Sequence, residues 1–278
     1  MKKLMTRVTI LILGVFAFCI IYLRGCDVFS VGISSYRYDN ASKYTTGGAT
    51  IDDEVKTLDI SWVSGNVNIK YHEENTIIFE EDGSTFEEDE KLRYWLDGTT
   101  LRIKYVKSGM RKYGNLNKQL TIYIPATAEF TDLNIDTVSA GIHVEGISAD
   151  NVRIESVSGS FVAKLQGETS KVDVETVSGK INITGENIKN VNSESVSGAI
   201  VLTLDTAPEK INAETVSGKL TAYLPMETGF TLEVDKVSGD FECDFAVTKD
   251  NGTYVCGDGS GDYNFETVSG DIYFRIKN

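Results

Sequence analysis

Val172-Asp173-Val174-Glu175-Thr176-Val177-Ser178-Gly179 is one copy of a phrase that this chain repeats. Val-Ser-Gly begins at Val63, Val157, Val177, Val196, Val216, Val237 and Val268, and Val138-Ser139-Ala140-Gly141 is a variant. From Val138 to Val237 the steps are 19, 20, 19, 20 and 21 residues, with a step of 75 before them and one of 31 after. A fixed period of this length signals a repeat architecture.

Each copy has internal order. Two residues before the valine stands an acid: Asp136, Glu155, Glu175, Glu194, Glu214, Asp235 and Glu266. One residue before it stands Thr or Ser, except at Lys236. Positions five and three before are mostly apolar, as in Val152 and Ile154 or Leu232 and Val234. Beyond the valine, apolar residues fall at four, six and eight positions, as in Ile200, Leu202 and Leu204 or Ile272, Phe274 and Ile276. This is period 2, hence strands with one buried face. The inward parity switches at the motif, which requires a bulge or corner. Ser-Gly supplies it, because glycine tolerates φ > 0 and serine bonds to nearby backbone.

Each ~20-residue unit therefore reads as strand, corner, strand, turn. Such a unit cannot bury its face alone, and stacked copies can. The expected fold is an all-β solenoid, like a parallel β-helix. An antiparallel sandwich also gives short alternating strands, but it does not demand one motif at one phase.

The solenoid is expected over residues 51–278, with a strand-rich N-terminal cap at 51–130 and the Val-Ser-Gly repeats at 131–278. Strand candidates in the cap are Thr76 to Phe79, Lys91 to Leu96, Leu101 to Val106 and Leu120 to Ile124, and Asp97-Gly98 reads as a hairpin turn. Ser84-Thr85-Phe86-Glu87 has the form of a capping box, so a short helix before Leu96 is an alternative.

At the N-terminus, Val8 to Leu23 is apolar apart from Thr9 and Gly14, with Lys2, Lys3 and Arg7 before it and Arg24 after. The expected organisation is a cytoplasmic tail at 1–7, a transmembrane signal-anchor at 8–24 and a linker at 25–50. A cleaved signal peptide, or a lipoprotein signal ending at Gly25-Cys26, are the alternatives. All three export the remainder, so the expected location is the cell membrane, single-pass, with the C-terminal domain extracytoplasmic.

The charge splits at the same place. Lys and Arg number 27 against 41 Asp and Glu, a net of −14 over 278 residues. Residues 1–24 carry four basic and no acidic groups, so the rest holds 27 − 4 = 23 basic and 41 acidic groups, a net of −18. That excess excludes a nucleic-acid partner by its sign. With two histidines, His72 and His143, there is little material for His-based catalysis.

Leu58-Asp59-Ile60-Ser61-Trp62-Val63-Ser64-Gly65-Asn66-Val67, Leu120-Thr121-Ile122-Tyr123-Ile124-Pro125, the Thr/Ser-Val-Ser-Gly copies and Glu266-Thr267-Val268-Ser269-Gly270-Asp271-Ile272 together resemble the bacterial DUF4097 type, a family of unknown function known as putative adhesins. The resemblance covers roughly Thr50 to Asn278. It implies a β-helical fold and an exported or membrane-bound setting, and it implies no established activity.

Five features of the chain bear on chemistry. The acids two before each valine would form a ladder, either a cation-binding face or a solvated one. Glu73 to Glu90 holds nine acids and Arg102 to Lys118 six basic residues, which could pair across strands or dock a polymer. The motif serines have no base beside them in a nucleophile motif, so they are corner residues. Gly257-Asp258-Gly259-Ser260-Gly261-Asp262 reads as a turn. Cys243 and Cys256 flank Asn251-Gly252, and a disulfide between them is left open. No catalytic residue, metal ligand or cofactor site is assigned.

The expectation is a non-catalytic adhesin or cell-envelope interaction module, with the membrane and a cell-wall polymer or envelope protein as partners. A polysaccharide-active β-helix enzyme and a self-assembling scaffold growing through strands such as Asp271 to Ile276 are the alternatives.

Overall fold

The structure is a computed structural model that describes residues 35–83, 85–113 and 116–277. The expected tail at 1–7, the anchor at 8–24, the first part of the linker, Cys19, Cys26 and Ser84 lie outside these residues. Among the described residues no helix is long and apolar enough to cross a membrane.

The β-branched, period-2 stretches form parallel strands, and the Ser-Gly corners fold each repeat into two arms. Every layer is a first arm and a second arm, joined by the motif corner in all layers except layer 1. Layer 1 is Thr100–Lys104 with Lys118–Pro125. Layer 2 is Thr57–Trp62 with Gly65–His72. Layer 3 is Glu129–Thr137 with 141–147, layer 4 is 148–158 with 161–165, layer 5 is 168–178 with 181–185, and layer 6 is 187–197 with Ile200–Leu204. Layer 7 is Lys210–Ser217 with Leu220–Leu224. Layer 8 is Gly261–Ser269 with Ile272–Ile276, and layer 9 is Phe230–Ser238 with Phe241–Cys243. Every neighbouring pair of layers is parallel and in phase.

The order of stacking is not the order of the sequence. Layer 8 is the C-terminal segment, inserted between layers 7 and 9. The chain leaves a gap after Leu224, builds layer 9, makes the hairpin Thr248–Asp250 and Thr253–Cys256, and returns to fill the gap. Layer 1 likewise lies outside layer 2, although it follows layer 2 in sequence. These two excursions account for the irregular steps of 31 and 75 residues. Within Asp271 to Ile276, Ile272–Phe274 is consequently paired on both sides, so this is not the open strand that a self-assembling scaffold requires.

Inside the coil, alternate residues of both arms meet in one core. Leu133, Val152, Val172, Val191 and Ile211 stack in the first arm, and Ile142, Phe161, Ile181, Ile200, Leu220 and Ile272 in the second, all at most 3% exposed. Burying each such side chain contributes about 1.5–3 kcal/mol. The Thr or Ser one before the motif valine also points inward, and Thr137 Oγ1 donates to Ser156 Oγ at 3.0 Å. The motif valine itself lies on the outer face, half-buried in most layers.

The corners explain the glycine. Gly179 N donates to Ser197 O at 3.2 Å and Gly198 N to Ser217 O at 3.1 Å, so successive corners sit directly on one another. A Cβ at Gly179 would collide with the Gly159 carbonyl oxygen, at Gly198 with that of Gly179, at Gly218 with that of Gly198, at Gly270 with that of Gly218, and at Gly239 with that of Gly270. The glycine column follows the spatial order of layers, including the inserted one.

The N-terminal end is closed by antiparallel strands. Arg93–Asp97 pairs with Thr100–Lys104 through a hairpin whose turn contains Gly98, at φ 61°. Ile77–Asp82 covers Lys118–Pro125. The capping-box segment forms one turn in which Glu87 N donates to Glu90 Oε2 at 2.8 Å, and no helix follows it. The stretch 51–130, expected as a cap, thus contributes two full layers as well as cap strands. Residues 35–50, expected as linker, are packed: Tyr36 is 2% exposed, its hydroxyl donates to Ser61 O at 3.3 Å, and Thr45–Thr46 and Ala49–Ile51 join the sheet. Apolar contact decides here, since the tyrosines of this segment cluster with Tyr113 and Trp95.

Gly198→Ala is expected to cost about 3 kcal/mol, because the neighbouring backbone must part. Gly98→Ala, with open space around it, should cost only about 1 kcal/mol. Urea unfolding of both variants checks the contrast. A chain ending at Ser260 should lose hydrogen-exchange protection in both layers 7 and 9, because it lacks the layer between them. Protection unchanged in layer 9 would contradict the inserted order.

Candidate functional site

The outer face of the first arms carries two polar columns. In order of layers, the position two before the valine holds Lys104, Ser61, Asp136, Glu155, Glu175, Glu194, Glu214, Glu266 and Asp235. The position four before holds Arg102, Asp59, Asn134, Arg153, Asp173, Asn192, Asn212, Asn264 and Glu233. The expected acid ladder is therefore real, and its seven carboxylates sit at the ~4.8 Å spacing of paired strands.

It is not a freely solvated face. The ladder lies between the second column and the motif valines, and most of it is half-buried; Glu155 is 1% exposed and Glu266 3%. Asn212 Nδ2 donates to Asn192 Oδ1 at 2.9 Å and to Glu214 Oε1 at 2.9 Å. Asn264 Nδ2 donates to Asn212 Oδ1 at 2.8 Å and to Glu266 Oε1 at 3.0 Å. Asn192 Nδ2 bridges Asp173 Oδ1 at 2.9 Å and Glu194 Oε1 at 3.1 Å. Arg153 pairs with Glu155. Amide donors of the second column thus bond three of the stacked acids and one guanidinium a fourth, which offsets part of their mutual repulsion. The sequence reading missed the asparagines, although Asn192-Ser193-Glu194, Asn212-Ala213-Glu214 and Asn264-Phe265-Glu266 spell the pairing at strand period.

The electrostatics follow from burial. Asp136 is pushed up to about 6 by burial, against the pull of Lys104 and with a push from Asp59. Glu175 is raised by burial and then by Asp173. Glu194 is raised by burial and by Glu175, although Asn192 opposes this. Burial also works on Asp173, but Lys171 and Asn192 outweigh it and hold that carboxyl below its usual range. A single column of carboxylates is no oxygen cage, and among the described residues no cluster of three or more His, Cys, Asp or Glu is shaped to hold a metal ion.

The remaining candidates resolve into structure. The acidic and basic segments do meet: Lys107 Nζ lies 2.7 Å from Asp89 Oδ1, and Lys118 Nζ lies 2.5 Å from Glu81 Oε2. Lys118 is wholly buried among Trp62, Phe86 and Tyr105, and its ammonium also donates to the carbonyls of Glu90 and Tyr105 at 2.6 and 2.5 Å. Burial lowers it to about 8, with Glu81 opposing the shift. Nothing in its sequence context marks it off from the surface lysines around it. The motif serines line the exposed corners, and Ser139 and Ser238 donate to the carbonyls of Val63 and Val268 in the adjacent layer at 3.2 Å each. His72 Nε2 is 2.6 Å from Thr76 O, and His143 lies on the outer face of a second arm. Within Gly257 to Asp262, residues 257–260 form a turn in which Ser260 N donates to Asp258 Oδ1 at 3.1 Å, and Gly261 and Asp262 begin layer 8. Cys243 and Cys256 are free thiols, both raised by burial.

The Toastrack DUF4097 family model matches residues 50–275. The chain belongs to this family. Several solved structures are similar at low identity. A putative adhesin from Bacteroides fragilis NCTC 9343 is 14% identical, with 84% of this chain and 97% of that one aligned and a TM-score of 0.46. A putative cell adhesion protein from Clostridium sporogenes ATCC 15579 is 16% identical over 84% and 100% of the two chains, with a TM-score of 0.38. A putative lipid binding protein from Parabacteroides distasonis ATCC 8503 is 12% identical over 87% and 100%, with a TM-score of 0.35. No curated protein matches the chain.

The raised carboxylates have a definite pH consequence. A carboxyl whose folded pKa exceeds its unfolded value binds more protons when folded, so it favours folding in acid and costs stability as pH rises through the folded value. For Asp136 that window runs from about 4 to about 6. Asp136→Asn should therefore raise the melting temperature at pH 7.5, and the gain should shrink to nothing by about pH 4. Thermal melts at four pH values check it.

Proposed function

We propose that this Toastrack protein is a membrane-anchored, extracytoplasmic, non-catalytic interaction module of the cell envelope, an adhesin in the broad sense. The observation that carries the reading is how the polar groups are used. Of the recurrent carboxylates, Glu194, Glu214 and Glu266 accept from asparagines of the neighbouring column on the outer face, at strand spacing, and Glu155 pairs with Arg153. Glycosidase chemistry wants two carboxyls about 5–9.5 Å apart on either side of a bound sugar, one of them free to hold a proton for the leaving group. Stacked, amide-bonded acids along one face do not offer that arrangement. The apolar run from Val8 to Leu23, flanked by cations, supports attachment to a membrane, and the stack of layers suits a stalk that presents a surface.

A cell-wall polymer or an envelope protein is the partner class this reading favours. Full-length protein should sediment with purified cell-wall polymer and release no reducing ends from it. It should also stay with membranes through alkaline extraction. Release of reducing ends would replace the module by an enzyme, and recovery in the alkaline supernatant would remove the anchor.

A further inference from the structure

The two polar columns end differently at the two ends of the solenoid. At the N-terminal end they run into cations. Arg102 closes the column of Asp59 and Lys104 the column of Ser61, and both side chains pair with Asp59; Lys104 Nζ also donates to Ser61 Oγ at 2.8 Å. These cations stand two apart on the strand Thr100–Lys104, with Ile103 between them wholly buried against the core. At the other end the same columns finish in acids, Glu233 and Asp235, both exposed. Neither has an ion-pair partner among the described residues.

That end is also open in its backbone. The hairpin strand Thr253–Cys256 covers only Phe230–Leu232 of layer 9. Among the described residues, 233–238 pair with layer 8 on one side and with no strand on the other. Val237, on the column of motif valines, is 50% exposed because no further layer covers it. An uncovered strand edge is a template for another strand.

A second copy of this edge is a poor occupant. Two-fold antiparallel pairing sets residues of the same face opposite each other. Centred on Asp235 it opposes two carboxylates, and centred on Lys236 two ammonium groups, which is destabilising. Growth from the other end is blocked by the antiparallel strands Ile77–Asp82 and Arg93–Asp97.

We propose that the open edge at 233–238 is a docking site for an extended segment of a partner protein with the pattern basic, apolar, basic, added in parallel as a tenth layer. Its two cations would meet Glu233 and Asp235 as Arg102 and Lys104 close the columns at the opposite end, and its apolar residue would cover Val234. The described chain begins beside layer 1, where Tyr36 bridges to Met110. Layer 9 is eight steps of ~4.8 Å away, roughly 38 Å. The docking edge is thus at the end of the stack far from Tyr36. This rests on the interaction-module reading for its purpose, but the binding itself requires neither an anchor nor a polymer.

The probe is a synthetic peptide copying residues 99–106 of this chain, Thr-Thr-Leu-Arg-Ile-Lys-Tyr-Val, added to the full-length protein. Hydrogen exchange should slow at 233–238 and not along the rest of the ladder. The peptide carrying Ile103→Pro should lose at least tenfold in affinity, and so should one carrying Arg102→Glu and Lys104→Glu. The protein variant Glu233→Lys with Asp235→Lys should reverse the preference between the basic and acidic peptides. Exchange unchanged at 233–238, or equal binding of the proline peptide, would overturn strand addition. Binding untouched by the charge reversal would overturn the pairing with Glu233 and Asp235. A polymer-binding failure with intact peptide docking would sink only the cell-wall reading.

Discussion

The close approach of successive corners is the constraint from which the rest of this molecule follows. Backbone hydrogen bonds fix adjacent layers at strand spacing, and at the corner the carbonyl oxygen of one glycine occupies the space where the next would carry a Cβ. Only glycine permits that contact at full coil closure. Once corners stack, every position of the repeat stacks with them. Apolar residues align into a core, hydroxyls into an inner column, and acids and asparagines into outer ones. A repeated sequence becomes a set of ladders because one contact per layer holds the register.

Ladders amplify both favourable and unfavourable pairings. Seven carboxylates in one file are costly unless each has a donor, and the asparagine column supplies amides to Glu194, Glu214 and Glu266. Arg153 relieves Glu155, and Lys104 faces Asp136. Burial, the largest cause, still holds the pKa values of Asp136, Glu175 and Glu194 above the usual carboxylate range, with neighbouring acids adding to it. The face is better understood as a balanced structural seam than as an ion trap. Its ends are where the balance changes, with cations at the closed end and acids at the open one.

Much of the fold was legible because strand parity is a local property. The switch from odd to even inward positions around Val157 or Val196 needs no knowledge of neighbours, and the Ser-Gly corner is written in three residues. The acid ladder was legible for the same reason. The asparagines escaped notice because four copies of eight carry Asn four before the valine and the others carry Asp, Arg or Glu, a pattern that acquires meaning only when side chains are seen to bond across layers. Lys118 escaped because a lysine in a basic run looks exposed. Its burial depends on Trp62, Phe86 and Tyr105 converging from distant parts of the chain.

The sequence by itself determined the period, the arms, the corner and the phase of the core, since these arise from residues within about 20 positions of one another. Only the tertiary structure decided the order of the layers. Layer 8 and layer 9 carry the same motif, and either could have followed layer 7 as far as hydrophobic pattern is concerned. What selects the inserted arrangement is the excursion of the hairpin at Asn251-Gly252 and the packing of Phe230 against Tyr263, Phe245 and Phe274 across the terminal layers. That choice buries the C-terminal strand, leaves 233–238 as the open edge, and so decides which surface the molecule offers.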